Sequence, residues 1–403
     1  MNYTKQEVMQ FIEEEDVKFI RLAFCDVFGK QKNISIMPNE LGRAFEHGIA
    51  IDAWSIAGFN TNLHSDLFLR PDPSTLVILP WRPEHGRVVR MYCDIVWPDG
   101  RAFECDTRNL LKEAVKTAEA KGYQFKLGSE MEFYLFNKDE FGNSTKIPYD
   151  NAGYMDIAPD DKGENIRREV CLTLEQMGII PESSHHEEGP GQNEIDFRYS
   201  DPLSAADNAI TFAGVVRTVA NRNGIVADFS PKPLANAPGN GMHINFSIKG
   251  KGNADVLSPA IAGVLKNISD MALFLNPTED SYKRLGNCKA PGYISWSAEN
   301  RSQLIRIPAA AEPFKRAELR SPDSAINPYI AYTLLIYACL DGIENNLELP
   351  PASDINLYTA SEEELAKYTR LPYSLDNAKE AAKSSTFIKN ILSGPLIEAY
   401  CRN

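Results

Sequence analysis

Acidic side chains recur at alternate positions in four separate stretches of the chain, a spacing that gathers them on one side of an extended strand. In GSEMEFYLF, Glu130 and Glu132 fall opposite Met131 and Phe133. In HHEEGPGQNEIDFRY, Glu187 precedes a Gly-Pro-Gly turn, and Gln192, Glu194 and Asp196 then alternate with Asn193, Ile195 and Phe197. In GMHINFSI, His243, Asn245 and Ser247 share a face; in KRAELR, Arg316, Glu318 and Arg320 do. For any one of these strands a solvated face is the simpler reading, because acids are rarely buried unless paired or metal-bound. Repetition in four strands points instead to convergence. Glu130, Glu132, Glu187, Glu194, Glu318 and His243 suit hard divalent cations, Mg²⁺ or Mn²⁺, better than structural zinc. Without a metal, such anions would repel and raise one another's pKa.

A basic stretch supplies the complement. From Lys283 to Arg320 there are eight Lys/Arg against three Glu, in a chain whose net charge is −13. Arg284, Arg301, Arg306, Arg316 and Arg320 are suited to gripping phosphate or carboxylate bidentately. Metals and arginines around a transferred phosphate form the recurring apparatus of phosphoryl transfer. No GxxxxGK[ST] loop occurs, so a P-loop enzyme is excluded.

The elements that must hold these residues follow from pattern. The chain has 403 residues, enough for two or three domains, with 43% hydrophobic and 24% charged residues, an ordinary globular composition. VKFIRLAFCDVFGKQKNISIMP reads as a β-hairpin, and LVILPW (76–81) and VVRMYCDIVWPDG (88–100) as further strands, so the first part is a small sheet-rich domain. TRNLLKEAVKTAEAKG (107–122) predicts a helix with Thr107 as N-cap and Gly122 as C-cap. The domain boundary is set near Cys105, giving domains 1–105 and 106–403. The second is an α+β body with strands at FKLGSEMEFYLF, QNEIDFRYS, MHINFSI, LIRIP and RAELR, and four long helical segments. Acidic net charge argues against nucleic-acid and anionic-membrane partners. No window resembles a membrane span or a secretory leader. Seven scattered cysteines without a CxxC pair predict free thiols in a reducing cytoplasm.

The order of GSEMEFYLF, SSHHEEGPGQNEIDFRY, DFSPKP, GNGMHINFSI, NPTEDSYKRL, NRSQLIRIP and AELRSPDSAINPYIAYTLLIYACLDGI resembles the bacterial type I glutamine synthetase family. The resemblance implies a β-grasp N-terminal domain and a catalytic domain whose antiparallel sheet forms a funnel between subunits of a homo-oligomeric ring. ATP would enter one end as co-substrate and glutamate, or a similar acid, the other. Two or more Mg²⁺ or Mn²⁺ ions would be held, one by Glu132, Glu187 and Glu194, another by Glu130, His243 and Glu318. By the same resemblance, Arg301 and Arg306 stabilise the transferred phosphoryl group, and Arg284, Arg320 and Gly239 hold the acid substrate. Asn245, Ser247 and Arg316 contact nucleotide. Asp52 comes from a neighbouring subunit to the ammonium site, and Glu187 also acts beside the reacting centre. A glutamyl phosphate, formed from ATP, would then be displaced by ammonia or a small amine.

Three positions depart from the family pattern, all on the amine side. Where the family's mobile loop carries a glutamate, GNCKAP places Lys289. The family's DGSS is here Asp52-Ala53-Trp54-Ser55, and its Asn-Gly before the metal histidine segment is Pro238-Gly239. A lysine cannot bind ammonium, since like charges repel, and Trp54 offers an aromatic face beside Asp52. Lys289 and Trp54 therefore predict either an amine other than ammonia, with ammonia used inefficiently if at all, or a different acid whose extra anionic group pairs with Lys289. A solvated Lys289 and an interface-packing Trp54 are the plainer alternatives. A catalytically silent, ring-forming relative is the competing reading, opposed by the six metal-position residues. The chain ends at KNILSGPLIEAYCRN, where type I members continue. This predicts an oligomer without the paired-ring dodecamer's final helix. Tyr358 falls at a position that some relatives adenylylate and others leave unmodified.

Overall fold

The computed structural model describes residues 3–59, 65–82, 85–250, 255–309 and 315–402. Their contacts divide the chain into two compact units. The first comprises residues 1–113, 176–178 and 393–403; the second comprises 114–175 and 179–392.

The first unit is a mixed sheet with helical cover. Its strands are β1 (Val17–Cys25), β2 (Gln31–Ile36), β3 (Ile49–Asp52), β4 (Asp66–Pro71), β5 (Val77–Ile78) and β6 (Arg87–Val96). Their order is β2-β1-β6-β4-β3, with β5 also on β6. The expected hairpin is β1–β2, antiparallel from Cys25↔Gln31 to Ile20↔Ile36. β1 and β6 run parallel. Ile20, Leu22, Val89 and Met91, buried on these central strands, form the core. LVILPW is strand only over Val77–Ile78, because a 3₁₀ turn at Pro73–Thr75 precedes it and Pro80 follows. The helix Gly394–Arg402 belongs to this unit, and its Tyr400 hydroxyl donates to Val27 O at 3.0 Å.

The helix expected at 107–122 spans Thr107–Lys121 and ends at Gly122, whose φ of 90° is the left-handed conformation of a C-cap glycine. Its cap is not Thr107 but Asp106. The Asp106 carboxylate accepts from the N–H of Arg108 at 3.1 Å and of Asn109 at 3.3 Å. Asp is as good a cap as Thr, and it sits one residue earlier, where the first two free N–H groups reach it.

The second unit is built on a sheet ordered β13-β14-β15-β12-β7-β10-β9, with β8 and β11 also pairing β7. These strands are β7 (Gln124–Lys138), β8 (Ser144–Pro148), β9 (Pro181–His186), β10 (Gln192–Phe197), β11 (Ile225–Asp228), β12 (Met242–Lys249), β13 (Trp296–Ala298), β14 (Ile305–Ile307) and β15 (Ala317–Leu319). One face is apolar: Met131, Phe133, Ile195, Ile244, Phe246, Ala317 and Leu319 are all buried. The helices Pro202–Arg222, Leu257–Leu275 and Pro328–Glu344 are mostly buried and supply the rest of the core. Two of them cross at glycines: a Cβ on Gly263 would lie 2.1 Å from Ala338 O, and one on Gly342 would lie 2.0 Å from Pro259 O. The expected α+β architecture is borne out.

Candidate active site

Strand register converts the alternation of acids into a cluster. Directly opposite residues of antiparallel strands share a face. On β7 and β10, Glu132 pairs with Glu194 and Glu130 with Asp196. On β7 and β12, Glu130 pairs with His243. On β12 and β15, Asn245 pairs with Glu318, and on β14 and β15, Arg306 pairs with Glu318. One face of four neighbouring strands thus carries Glu194 and Asp196, then Glu132 and Glu130, then His243 and Asn245, then Glu318. Towards its C-terminal end the same face of β7 turns aromatic. Tyr134 packs with Phe136, Ala237 and Leu234, and its hydroxyl donates to Pro238 O at 2.7 Å.

Over this face lies a pocket of about 400 Å³. Glu130, Glu132, Glu187, Glu194 and His243 line it, with Arg284, Arg301, Arg306, Arg316 and Arg320 on the basic side. Gly239 and Lys289 also line it. Asn245 and Ser247, on the same face of β12, are not lining residues; Asn245 instead donates to Glu130 Oε1 at 2.7 Å and accepts from Arg316 Nε at 2.9 Å. Glu318 lies beneath, 1% exposed. It accepts from Arg306 Nη1 at 2.6 Å and from Arg320 Nε at 3.1 Å.

Over this face, three groups of donors among the described residues are each close enough to share an ion. Glu130, His243 and Glu318 offer atoms within 4.8 Å of one another, as do His185, Glu187 and Glu194. The first is the triad expected from sequence. In the second, His185 takes the place expected of Glu132, whose carboxylate accepts from the Gly241 N–H at 2.8 Å and from Gln192 Nε2 at 3.2 Å. Glu130, Glu194 and Asp196 make a further group.

Protonation here reflects crowding. Burial raises the Glu194 carboxyl well above the usual range, and the charges of Glu132, Asp196, Glu130 and Glu187 add to it. Burial and Glu130 push Asp196 to about 6. For Glu130, burial is outweighed by the hydrogen bond and charge of His243, with help from Asn245 and Arg306, and its pKa falls to about 2. Glu187 is also lowered, because its bond to His185 and the N–H of Glu188 overcome burial. Buried carboxylates repelling one another in a pocket lined with oxygen donors are what a hard divalent cation relieves, so the donor set fits Mg²⁺ or Mn²⁺.

The arginines differ in freedom. Arg284 is 3% exposed and donates to Ser321 O at 2.8 Å; burial lowers its pKa. Arg320 donates to Glu318, to Arg301 O, and to Lys289 O at 3.3 Å. Arg301 is exposed at the rim. Gly239 admits no side chain: a Cβ would lie 2.3 Å from Pro231 O and 2.9 Å from Arg284 Cγ.

Asp52 and Trp54 belong to the first unit. Asp52 ends β3, its carboxylate accepts from the Trp54 N–H at 2.9 Å, and Trp54 is 61% exposed. The bond from Trp54 lowers the Asp52 pKa.

Several lining residues had no place among the candidates from sequence: Tyr154, His185, Glu188, Asp196 and Cys288. Alternation on β10 already named Asp196. The others come from loops or from β9, where pattern carried no signal. Lys289 is about half exposed, but its Nζ is engaged: it lies 2.5 Å from Glu188 Oε1 and 5.2 Å from the Tyr154 ring centroid.

Residues 104–403 match the family model "Glutamine synthetase, catalytic domain", and residues 16–98 match "Glutamine synthetase, beta-Grasp domain". A glutamine synthetase of Clostridium saccharobutylicum is 44% identical, over 97% of this chain and 91% of its own length. One of Methanosarcina mazei is 42% identical, over 98% of this chain and 92% of its own. Among solved structures, a GmaS/ADP complex superposes with TM-score 0.88 at 27% identity, covering 100% of this chain and 94% of that one.

Proposed function

This chain belongs to the glutamine synthetase family, and from that premise we propose how its own residues make it a carboxylate–amine ligase acting on glutamate. The family uses ATP and divalent metals. The residues that would hold the metals are Glu130, His243 and Glu318 on one side, and Glu187, Glu194 and Glu132 or His185 on the other. Bound there, divalent cations would neutralise phosphate and carboxylate charges that otherwise repel.

The chemistry assigns distinct tasks to the remaining side chains. A carboxylate is a poor acyl donor, so an oxygen of the glutamate side chain first attacks the γ-phosphorus of ATP and releases ADP. Arg306, oriented by Glu318, and Arg301 at the rim stabilise the charge that builds on the transferred group. Arg284 and Arg320 face the acid substrate, and the bare backbone at Gly239 lets it approach. Asn245, Ser247 and Arg316 lie on the nucleotide side. A neutral amine then attacks the acyl carbon, the carbon–oxygen bond to phosphate breaks, and phosphate leaves. The amine nitrogen gives up one proton on becoming neutral and another as the amide forms. Asp52, supplied by a neighbouring subunit of an oligomer, is placed in this reading to bind the incoming ammonium and accept its proton.

The observation that carries the reading is the register across β7, β12, β14 and β15, which sets Glu130, His243, Glu318 and Arg306 against one another. Lys289 and Trp54 support an amine larger than ammonia. The test is phosphate release from ATP with glutamate, screened over ammonia, alkylamines, polyamines and amino acids. Turnover is expected, with at least one organic amine preferred to ammonia. If every pairing is silent while ATP still binds, the ligase reading fails and the silent ring-forming relative replaces it.

A further inference from the structure

The wall of the pocket beside Lys289 is built like a receptor for an ammonium group. Recognition of a primary ammonium in water calls for a carboxylate and, for extra selectivity, an aromatic face. Both are present, from separate parts of the chain. Glu188 follows β9, and Tyr154 lies in the loop between β8 and the helix Glu164–Gln176. The Tyr154 ring stands edge-on to His185, with centroids 5.5 Å apart and planes at 88°. His185 Nε2 in turn lies 3.0 Å from Glu187 Oε1. Glu187 also accepts the Glu188 N–H at 3.0 Å, so its carboxylate is turned to its own neighbours while that of Glu188 meets Lys289.

An ammonium group already sits in this receptor. It is the Lys289 Nζ, 2.5 Å from Glu188 Oε1 and 5.2 Å from the centre of the Tyr154 ring. The backbone behind it is fixed: Lys289 O accepts from the Tyr358 hydroxyl and from Arg320 Nη1. The lysine side chain, by contrast, has a flexible four-carbon stem, and about half of its surface is exposed. It can leave Glu188 without the loop moving.

We propose that Glu188 is the specificity-determining acid of the amine subsite, and that Lys289 is a tethered ammonium which fills the subsite until a primary alkylammonium displaces it. This rests on the ligase reading above and adds to it the substrate class and the device that selects it. An arriving cation exchanges one ion pair for another at Glu188, so no buried charge is left unpaired. NH₄⁺ can use the carboxylate and the cation–π attraction of the ring, but only an organic cation adds an apolar stem that packs on the Tyr154 face. The lysine thus lowers the apparent affinity of every ammonium ligand by the same factor, and discrimination among them comes from Glu188 and the Tyr154 face.

The test compares wild type, Lys289→Met and Glu188→Gln with ethylamine, ammonia and hydroxylamine; the last is largely uncharged at neutral pH. Methionine keeps the length of the stem and removes the charge. An exposed ion pair of this kind holds its site closed only part of the time, so Lys289→Met should lower the KM for ethylamine about two- to five-fold, with kcat little changed. The KM for hydroxylamine should not move. Glu188→Gln should raise the ethylamine KM about ten-fold. An unchanged or higher ethylamine KM in Lys289→Met overturns the proposal, and so does an equal fall for hydroxylamine, which would make the lysine a steric gate. Calorimetric binding of ethylammonium separates this from the ligase reading. Tighter binding by Lys289→Met without turnover in any variant keeps the subsite and sinks the ligase. Turnover with no tightening does the reverse.

Discussion

The floor and the wall of the same pocket are held by different means. On the floor, Glu130, Glu132, Glu194, His243 and Glu318 are placed by backbone pairing between strands. On the wall, Tyr154, Glu188 and Lys289 come from loops, and side chain meets side chain. A strand register slips only in whole steps, each of which turns the floor residues to the opposite face. A loop residue is changed by one substitution without disturbing its neighbours. Chemistry that every substrate needs belongs on the first kind of support, and choice among substrates belongs on the second.

If that contrast is right, the floor should be the more fragile place to cut. Glu318→Ala removes a carboxylate that faces Arg306, Arg320 and His243 and is 1% exposed. Phosphate release should fall on the order of 10²–10³-fold. Stability should fall as well, by about 3–5 kcal/mol, because two guanidinium groups lose a buried partner. Glu318→Gln keeps the shape and separates the two effects: it should melt closer to wild type while remaining as inactive. Near-normal turnover in the glutamine variant would remove Glu318 from the site.

A second test asks whether the floor is strained without metal. Asp196 titrates at about 6 against an ordinary 3.8, and Glu194 is raised further in the same direction. Between the unfolded and folded values the native protein holds more protons than the unfolded chain, so stability falls as pH rises through that window. Glu130, lowered to about 2, acts oppositely: its contribution is complete above 4.5 and is lost as pH falls towards 2. In a chelator, then, stability should decline between pH 4.5 and 7, with Asp196 contributing about 1–3 kcal/mol. Mg²⁺ should reverse the decline, and its stabilisation should be larger at pH 7.5 than at pH 5. Equal stabilisation at both pH values, in thermal melts, would mean that the acids do not share the ion. Asp196→Asn should flatten the metal-free slope.

The same contrast explains what was legible in the sequence. Alternation in GSEMEFYLF and GMHINFSI names the faces, because a strand's period is fixed by covalent geometry. It does not say which strand lies beside which. That Glu130 stands between Asp196 and His243 needed the pairing of three strands separated by dozens of residues. Asp196 was therefore visible on its face yet missing from the cluster. The Glu188–Lys289 contact joins a turn after β9 to a loop a hundred residues later, and no local pattern announces it. Asp106 displacing Thr107 as the helix cap shows the same limit on a small scale, since both residue types satisfy the rule and only hydrogen bonds decide.

The wall can be tested by giving it back an acid. Lys289→Glu restores the charge that the resemblance to the family implies at this loop position and places it beside Glu188 and Glu187. Ammonia-dependent turnover should rise by about ten-fold relative to ethylamine, because a third carboxylate favours the smaller, more strongly hydrated cation; loss of the tethered lysine raises both amines alike. The readout is the ratio of kcat/KM for the two amines. A ratio unchanged from wild type would show that position 289 does not choose the nucleophile.

The smallest expected effect lies where floor and wall meet. The Tyr358 hydroxyl contacts Lys289 O and Arg301 O, and Arg320, which also holds Glu318, lies 3.4 Å from it. One hydroxyl thus ties the amine-side loop to the arginine side. Burial raises its pKa, so it is a donor throughout the neutral range. Tyr358→Phe removes the donor and leaves the ring. A neutral hydrogen bond to backbone contributes about 1 kcal/mol, so a loss of roughly five-fold is expected. Its distribution is the informative part. If the hydroxyl only braces the fold, melting temperature falls and both substrates suffer alike. If it sets the loop against the arginines, the KM for the amine rises while the KM for ATP stays put, because Asn245 and Arg316, the proposed nucleotide contacts, bond to each other without it. Glutamate should respond between the two, since Arg320 serves both sides.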